Sequence, residues 1–319
     1  MLTQQGEHRV EQLLESFSFW RAIAEQSTDM VILLDAAENV LYASQSVHKW
    51  TGRVPASLEE WIECVHSEYR MDMRYSWAQM RLNEQISGLE FQLPEQNGES
   101  VWMHATWHPI ALPNGPEVLY ALLIRDISEQ KKRAIELLRL AYHDPLTGLA
   151  NRRLFNDHLV RMMAHAKRNR LQLAVMCLDI DNFKEINDSK GHDVGDQFLK
   201  VFAQRVGKTL RETDLLARMG GDEFMVVLTD VDSELGVKTV AGRMLTAIRE
   251  VWEIGRHRFA AKVSIGIAMY PGNGEDYTSL LKNVDIALYQ IKHSGGDDFA
   301  FYHSSMTMKD TSQRQSFLP

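Results

Sequence analysis

Apolar and polar positions change rhythm three times along the chain. Over residues 8–25, Val10, Leu13, Leu14, Phe17, Trp20 and Ala24 recur at the spacing of one helical face. This predicts an N-terminal helix within residues 1–25, packed on its own domain or forming a dimer. From Met30 the runs become short and β-rich: "MVILLD" and "VLYAS", separated by the turn-like "AAEN". Ser57 and Glu60 form a capping-box signature that opens a helix at "LEEWIECV". "LEFQL" and "VWMHATW" alternate strongly and flank Asn97–Gly98, a hairpin signal, and "EVLYALLIRD" reads as a buried strand. Two strands, small helices and a three-strand meander make an α+β domain with an antiparallel sheet over residues 26–126.

The next stretch, "DISEQKKRAIELLRLAYHD", is helical, with Asp126 and Glu129 as an N-cap pair. Ile127, Ala134 and Ala141 repeat every seven residues, with Lys131 and Leu138 between them. Residues 127–143 therefore carry a short heptad seam weakened by one lysine, and predict a parallel two-stranded coil or a plain amphipathic linker. The coil is favoured, because a helix joining two domains has little else to cover its stripe.

Residues 144–305 form a second α/β pattern. Asp144–Pro145 and Thr147–Gly148 are turn chemistry. Leu154, Phe155, Leu159, Met162, Met163 and Ala166 mark a helix, and "LQLAVMCLDIDNF" is a buried strand ending in acids. Asp179 and Asp181 alternate with Ile180, so both carboxylates could face one side of the strand end. The helix "FKEIND" follows directly, and its first-turn amides, assisted by Lys184, make a natural phosphate cradle. The loop "SKGHDVGD", the helix "QFLKVFAQRVGKTL" and a hairpin carrying "RMGGDEF" come next, then the strand "KVSIGIAMY" and the helix "DIALYQIKHSGG". The order predicts an α/β sandwich on an antiparallel sheet, with residues 306–319 as a flexible tail.

Composition narrows the function. The 319 residues carry a net charge of −8, so no basic footprint for nucleic acid is present. Cys64 and Cys177 are too few and too far apart for a disulfide framework or a zinc site. The N-terminus lacks the apolar core of a signal peptide and no run approaches a membrane span, so the chain is expected to be cytoplasmic. Most tryptophans fall in the first domain, with Met71, Met73 and Met80 beside them. This Trp/Met-rich interior is either ordinary core or the lining of a ligand pocket. His66 reads as a loop residue rather than a haem ligand.

"GGDE" alone means an acidic hairpin in solvent. Here glycines at 220 and 221 let a ligand approach the backbone. Carboxylates from the strand end and the hairpin tip suit a hard divalent cation shared with substrate phosphates. In order and spacing, "DPLTGLANRRLF", "DIDNFKEIND", "GHDVGD", "RMGGDEF", "SIGIA" and "DIALYQIK" resemble the GGDEF family of diguanylate cyclases over residues 140–303. The topology resembles the palm of nucleotide polymerases and cyclases. "TGRVPAS", "VHSEYR" and "RDISEQKK" make residues 20–130 resemble a PAS domain.

The resemblance implies a homodimer that condenses two GTP into cyclic di-GMP and two pyrophosphates. It would use two Mg²⁺ per site, with Mn²⁺ as a substitute, under control of a PAS domain whose ligand is unknown. Asp179, Asp222, Glu223 and the carbonyl of Ile180 would hold metal, and Glu223 could instead deprotonate the attacking 3′-hydroxyl. Asn182 and Phe183 would bind phosphates through their amides near Gly221, Lys184 and Lys292 would neutralise charge, and Asn187 and Asp196 would read guanine. Arg211 and Asp214 match the family's RxxD inhibitory site for product. One departure stands out: after Lys292 the chain reads "HSGGDD", placing Gly296 where the family has an arginine and adding Asp297 and Asp298. A catalytically weak receptor for cyclic di-GMP or GTP, and a PAS signalling module, are the rival readings.

Overall fold

The computed structural model describes residues 21–22, 24–83, 88–96, 99–111, 118–255 and 257–306. Most of the expected N-terminal helix, the Asn97–Gly98 turn and nearly all of the tail lie outside these residues. The chain divides into two compact units, residues 1–136 and 137–319.

The first unit contains β1 (Met30–Leu34), β2 (Val40–Ala43), α1 (Gln45–Thr51), α2 (Leu58–Cys64), α3 (Arg70–Asn83), β3 (Gly88–Gln96), β4 (Glu99–Ala111) and β5 (Val118–Asp126). Its antiparallel sheet has the order β2-β1-β5-β4-β3. The helix-start signals work almost as read. Ser57 Oγ accepts from Glu60 N–H (3.3 Å), but the Glu60 carboxylate reaches Ala56 N–H (2.9 Å), one residue early. Trp61, Trp107, Met73 and Met80 fill the core, and Trp107 donates its indole N–H to Ser76 (3.0 Å). Met71 does not belong to this interior: it is exposed, on the outer side of α3.

The helix α4 (Ser128–Tyr142) buries none of its residues, and Ile135, Leu137, Leu138 and Leu140 are more than half exposed. The heptad reading needs correcting at its start. Ile127 is buried, and Lys131 pairs with Glu90 while its ammonium stands 5.1 Å from the Trp102 ring centroid. Those two positions are taken by the first unit's own sheet, so an uncovered stripe starts only near Ala134. No described helix is long and apolar enough to cross a membrane.

The second unit contains α5 (Arg152–Asn169), β6 (Leu173–Ile180), α6 (Phe183–Lys190), α7 (His192–Gly207), β7 (Leu215–Gly220), β8 (Glu223–Leu228), α8 (Glu234–Arg249), the small hairpin β9 (Trp252–Ile254) and β10 (His257–Phe259), β11 (Val263–Tyr270), α9 (Tyr277–His293) and β12 (Phe299–Phe301). The main sheet runs β12-β11-β6-β8-β7. It is antiparallel except at one edge, where β12 pairs parallel with β11, a strand that the pattern did not reveal. Every residue of β6 is buried, because helices cover both faces. Ala174, Met176, Leu178 and Ile180 pack with α7 and α8; Val175 and Cys177 pack with α5 and α9. A strand that is apolar throughout is what a two-sided cover requires.

The segment before α5 is stitched to the hairpin. Asp144 Oδ1 accepts from Thr147 N–H (2.8 Å) and Thr147 Oγ1 (2.6 Å), and both its oxygens accept from Arg218 Nη1 (3.0 and 3.1 Å). Arg218 also donates to the carbonyl of Gly221 (3.0 and 2.8 Å), so one guanidinium fixes the β7–β8 turn. Burial would push the Asp144 carboxyl up. The Thr147 hydrogen bonds and the Arg218 charge outweigh it and hold the carboxyl below its ordinary 3.8. The stability contributed by this ionised group is therefore complete above pH ~4 and is lost as pH falls through the lowered value. Arg218→Met should remove about 2 kcal/mol at neutral pH by stranding a largely buried carboxylate. It should also move the midpoint of acid unfolding to higher pH, as read by circular dichroism. Identical acid curves for the two proteins would mean that the pair contributes nothing.

Candidate active site

β6 delivers its acids to the end of the sheet where the hairpin turns. The β6–β8 register runs from Ala174 opposite Leu228 to Asp179 opposite Glu223. Residues directly opposite in an antiparallel pair share a face, so these two carboxylates stand side by side. Asp179 is 4% exposed, and the Lys292 ammonium, from the last turn of α9, lies on its carboxylate. Ile180 N–H points at the Asp222 carbonyl (3.4 Å), which brings the turn against the strand end. Gly220 and Gly221 have φ of 140° and 54°, angles that a side chain resists. The space their Cβ atoms would fill is open to at least 4 Å.

Past Asp181 the chain takes a left-handed residue, Asn182 (φ 57°, ψ 28°), and enters α6. Phe183 is buried against Phe198 and anchors that helix start, leaving its first-turn amides directed outward with the exposed Lys184. Asn187 lies against α7 at Gly195, where a Cβ would fall 1.8 Å from its Oδ1. The glycine is therefore a packing requirement. It seats the Asn187 carboxamide next to the position before Asp196, which is exposed.

The loop after α9 differs from its sequence-level reading. Asp297 pairs with Arg249 (3.2 Å), which also donates to its carbonyl, and the Asp297 N–H donates to Asp181 Oδ2 (2.9 Å). The charge of Asp297 is thus compensated by an arginine that α8 brings to the loop.

Arg211 and Asp214 come together at the other end of the hairpin. Asp214 accepts from Arg211 N–H (2.9 Å) and Thr229 N–H (3.2 Å), while Arg211, Asp214 and Arg243 line one cavity of about 130 Å³. Sequence reading missed Arg243, which α8 brings from far along the chain. It also missed Arg218, whose role depends on a partner 74 residues away.

Among the described residues, no three His, Cys, Asp or Glu side chains surround one point as a closed metal cage. The donor set still suits Mg²⁺, which takes one or two carboxylates and completes its shell with water and substrate phosphates. A buried aspartate opposite a glutamate, beside amides that suit phosphate, is such an incomplete hard-oxygen site.

Residues 141–298 match the family model described as "Diguanylate cyclase, GGDEF domain", and residues 40–121 match that of the PAS fold. The chain is 39% identical over 180 residues to the bifunctional diguanylate cyclase/cyclic di-GMP phosphodiesterase MucR of Pseudomonas aeruginosa, covering 56% of this chain and 26% of MucR. It is similar to a solved structure comprising only the GGDEF domain of TpbB (or YfiN) from P. aeruginosa, with 36% identity and a TM-score of 0.50. That match covers 51% of this chain and 95% of the other. The coiled coil and GGDEF domain of DgcB from Caulobacter crescentus, solved in complex with c-di-GMP, is 28% identical with a TM-score of 0.50, covering 55% and 93%. The chain spans less than half the length of the curated relatives it matches, and some of those are named as phosphodiesterases. Sheet order, strand-end carboxylates and these matches agree: the chain belongs to the GGDEF family, with a PAS fold N-terminal to its GGDEF domain.

Proposed function

We propose that this chain is a diguanylate cyclase, joining two GTP into cyclic di-GMP with release of two diphosphates. The observation that carries the reading is the strand end: Asp179 opposite Glu223, with the turn glycines, the α6 amides and Lys292 around them.

The amides of Asn182 and Phe183 bind the phosphates at a helix N-terminus. Lys184 adds charge there, and Lys292, at the end of α9, would add its own. Asn187 and Asp196 accept and donate to the guanine edge, with the carboxylate matched to the adjacent N1–H and N2–H donors. Glu223 would act either as a further metal ligand or as the base that takes the proton of a ribose 3′-hydroxyl. The freed oxygen attacks the α-phosphorus of the other nucleotide, the bond to the β-phosphate oxygen breaks, and diphosphate leaves. The same exchange in reverse sense closes the ring. Mg²⁺ held by Asp179, Asp222, Glu223 and the Ile180 carbonyl would neutralise phosphate charge and lower the hydroxyl's pKa, with Mn²⁺ able to substitute.

Each chain has one such site, so the reaction needs two chains face to face. The apolar residues left uncovered on α4 from Ala134 onward suit a second copy of that helix, which would raise the effective concentration of the domains. The PAS fold would bias that pairing in response to a signal, in the cytoplasm where GTP is found.

A second reading, a receptor with weak turnover, is favoured by Gly296, which leaves the loop after α9 without the family's arginine. Under both readings the cavity between Arg211, Asp214 and Arg243 takes cyclic di-GMP, with arginine forks and a carboxylate for its guanines.

Two outcomes test the assigned residues. Asp222→Ala and Glu223→Ala should each lower cyclic di-GMP formation by at least ~10²-fold, the scale of a lost transition-state electrostatic contact. Chromatographic quantification of product from GTP and Mg²⁺ checks this, and near-normal synthesis by either variant would refute the assignment. Arg211→Ala should stay active but lose inhibition by added cyclic di-GMP. Calorimetry giving equal product affinity in wild type and variant would remove Arg211 from that role.

A further inference from the structure

We propose that Asp181 is a positioning residue that ties the phosphate-binding turn to the loop after α9, and is not a ligand of the cation held beside Asp179. The proposal rests on the reading of this region as a GTP site. Asp179 and Asp181 are two apart at one strand end, and either could be aimed at a metal. In the structure only Asp179 faces Glu223. Both carboxylate oxygens of Asp181 are directed into the protein: Oδ1 accepts from the Ser264 hydroxyl (2.8 Å) and Oδ2 from the Asp297 N–H (2.9 Å). Its own N–H donates to the Lys262 carbonyl (3.0 Å). One residue thus joins three segments: the turn at Asn182, strand β11 and the loop 294–298.

That loop follows directly on the last turn of α9, which carries Lys292. Gly296 N–H returns to the Ile291 carbonyl (3.0 Å), and Ile265 N–H holds the Asp298 carbonyl (2.9 Å). Arg249 fastens Asp297 from α8. The same tie accounts for Gly296. Its φ is +70°, and a Cβ there would stand 3.0 Å from Asp181 Oδ2 and 3.2 Å from Ser264 Oγ. A side chain at 296 would crowd the space the Asp181 tie occupies, and the glycine leaves that space free.

Asparagine separates positioning from ligation. In Asp181→Asn the carboxamide oxygen can accept from Asp297 N–H while its NH₂ donates to the Ser264 hydroxyl, which can turn to accept. Both ties survive, but an anionic metal ligand would be lost. The test uses the full chain as wild type, Asp181→Asn, Asp181→Ala and Gly296→Ala. Hydrogen exchange of a peptide spanning residues 294–299 is measured without nucleotide, together with Mn²⁺ affinity and the affinity for a fluorescent GTP analogue. Asp181→Asn should match wild type in all three. Asp181→Ala and Gly296→Ala should speed exchange in the loop and weaken nucleotide binding by about tenfold or more, as for a lost supporting contact. Their turnover at saturating GTP should fall less than their nucleotide affinity, and their Mn²⁺ affinity should be unchanged. Loss of Mn²⁺ binding in Asp181→Asn, or unchanged loop exchange in Asp181→Ala, would overturn the proposal. If the wild type binds no GTP, the cyclase reading fails on its own, and the nucleotide-free exchange comparison still decides the tie.

Discussion

Two carboxylates directly opposite each other on neighbouring strands are the constraint around which the C-terminal unit is arranged. Asp179 and Glu223 occupy such positions at the end of the β6–β8 ladder. Opposed residues have Cβ atoms roughly 5 Å apart, so two like charges there repel unless a cation stands between or beside them. A sequence selected for stability alone would not place them so. Lys292 relieves part of the repulsion by lying on Asp179. Under the proposed function, a nucleotide would bring divalent cations to this strand end.

The apolar core sets that opposition. β6 and β8 interlock through six opposed pairs, and alternate residues enter the α7–α8 layer or the α5–α9 layer. A slip of one residue would turn Leu178 and Phe224 to the wrong layer and carry the acids off their shared face. The hairpin turn is then fixed from outside the ladder by Arg218, which holds Asp144 and the Gly221 carbonyl together. Packing places the strands, and a handful of charged ties place the loops that the strands end in.

What could be read from the sequence divides along the same line. The buried strand, the glycine turn and the helix start at Asn182 are local patterns, and the structure places them as read, whereas of the two strand-end acids Asp181 turns inward to Ser264 and Asp297. Partnerships across long separations left no local trace. Asp144 looked like turn chemistry because Arg218 lies far along the chain, and Arg243 is an ordinary helix residue until α8 folds beside Arg211. Asp297 looked like stray negative charge until Arg249 was found on it. The heptad began too early because periodicity cannot tell a partner helix from the edge of a sheet, and the first unit's sheet takes Ile127 and Lys131. Met71 failed for the opposite reason: residue type suggested core, but its place on α3 puts it in solvent.

If the opposed charges of Asp179 and Glu223 call for a cation, supplying one should register in the stability of the fold. Thermal unfolding of wild type and Glu223→Gln, each with and without Mn²⁺ and GTP, tests it directly. Glu223→Gln should unfold at a higher temperature than wild type in the absence of ligand, because one of the opposed charges is gone. Mn²⁺ with GTP should stabilise wild type but give the variant little. Equal stability of the two proteins without ligand, together with equal stabilisation by Mn²⁺ and GTP, would contradict it.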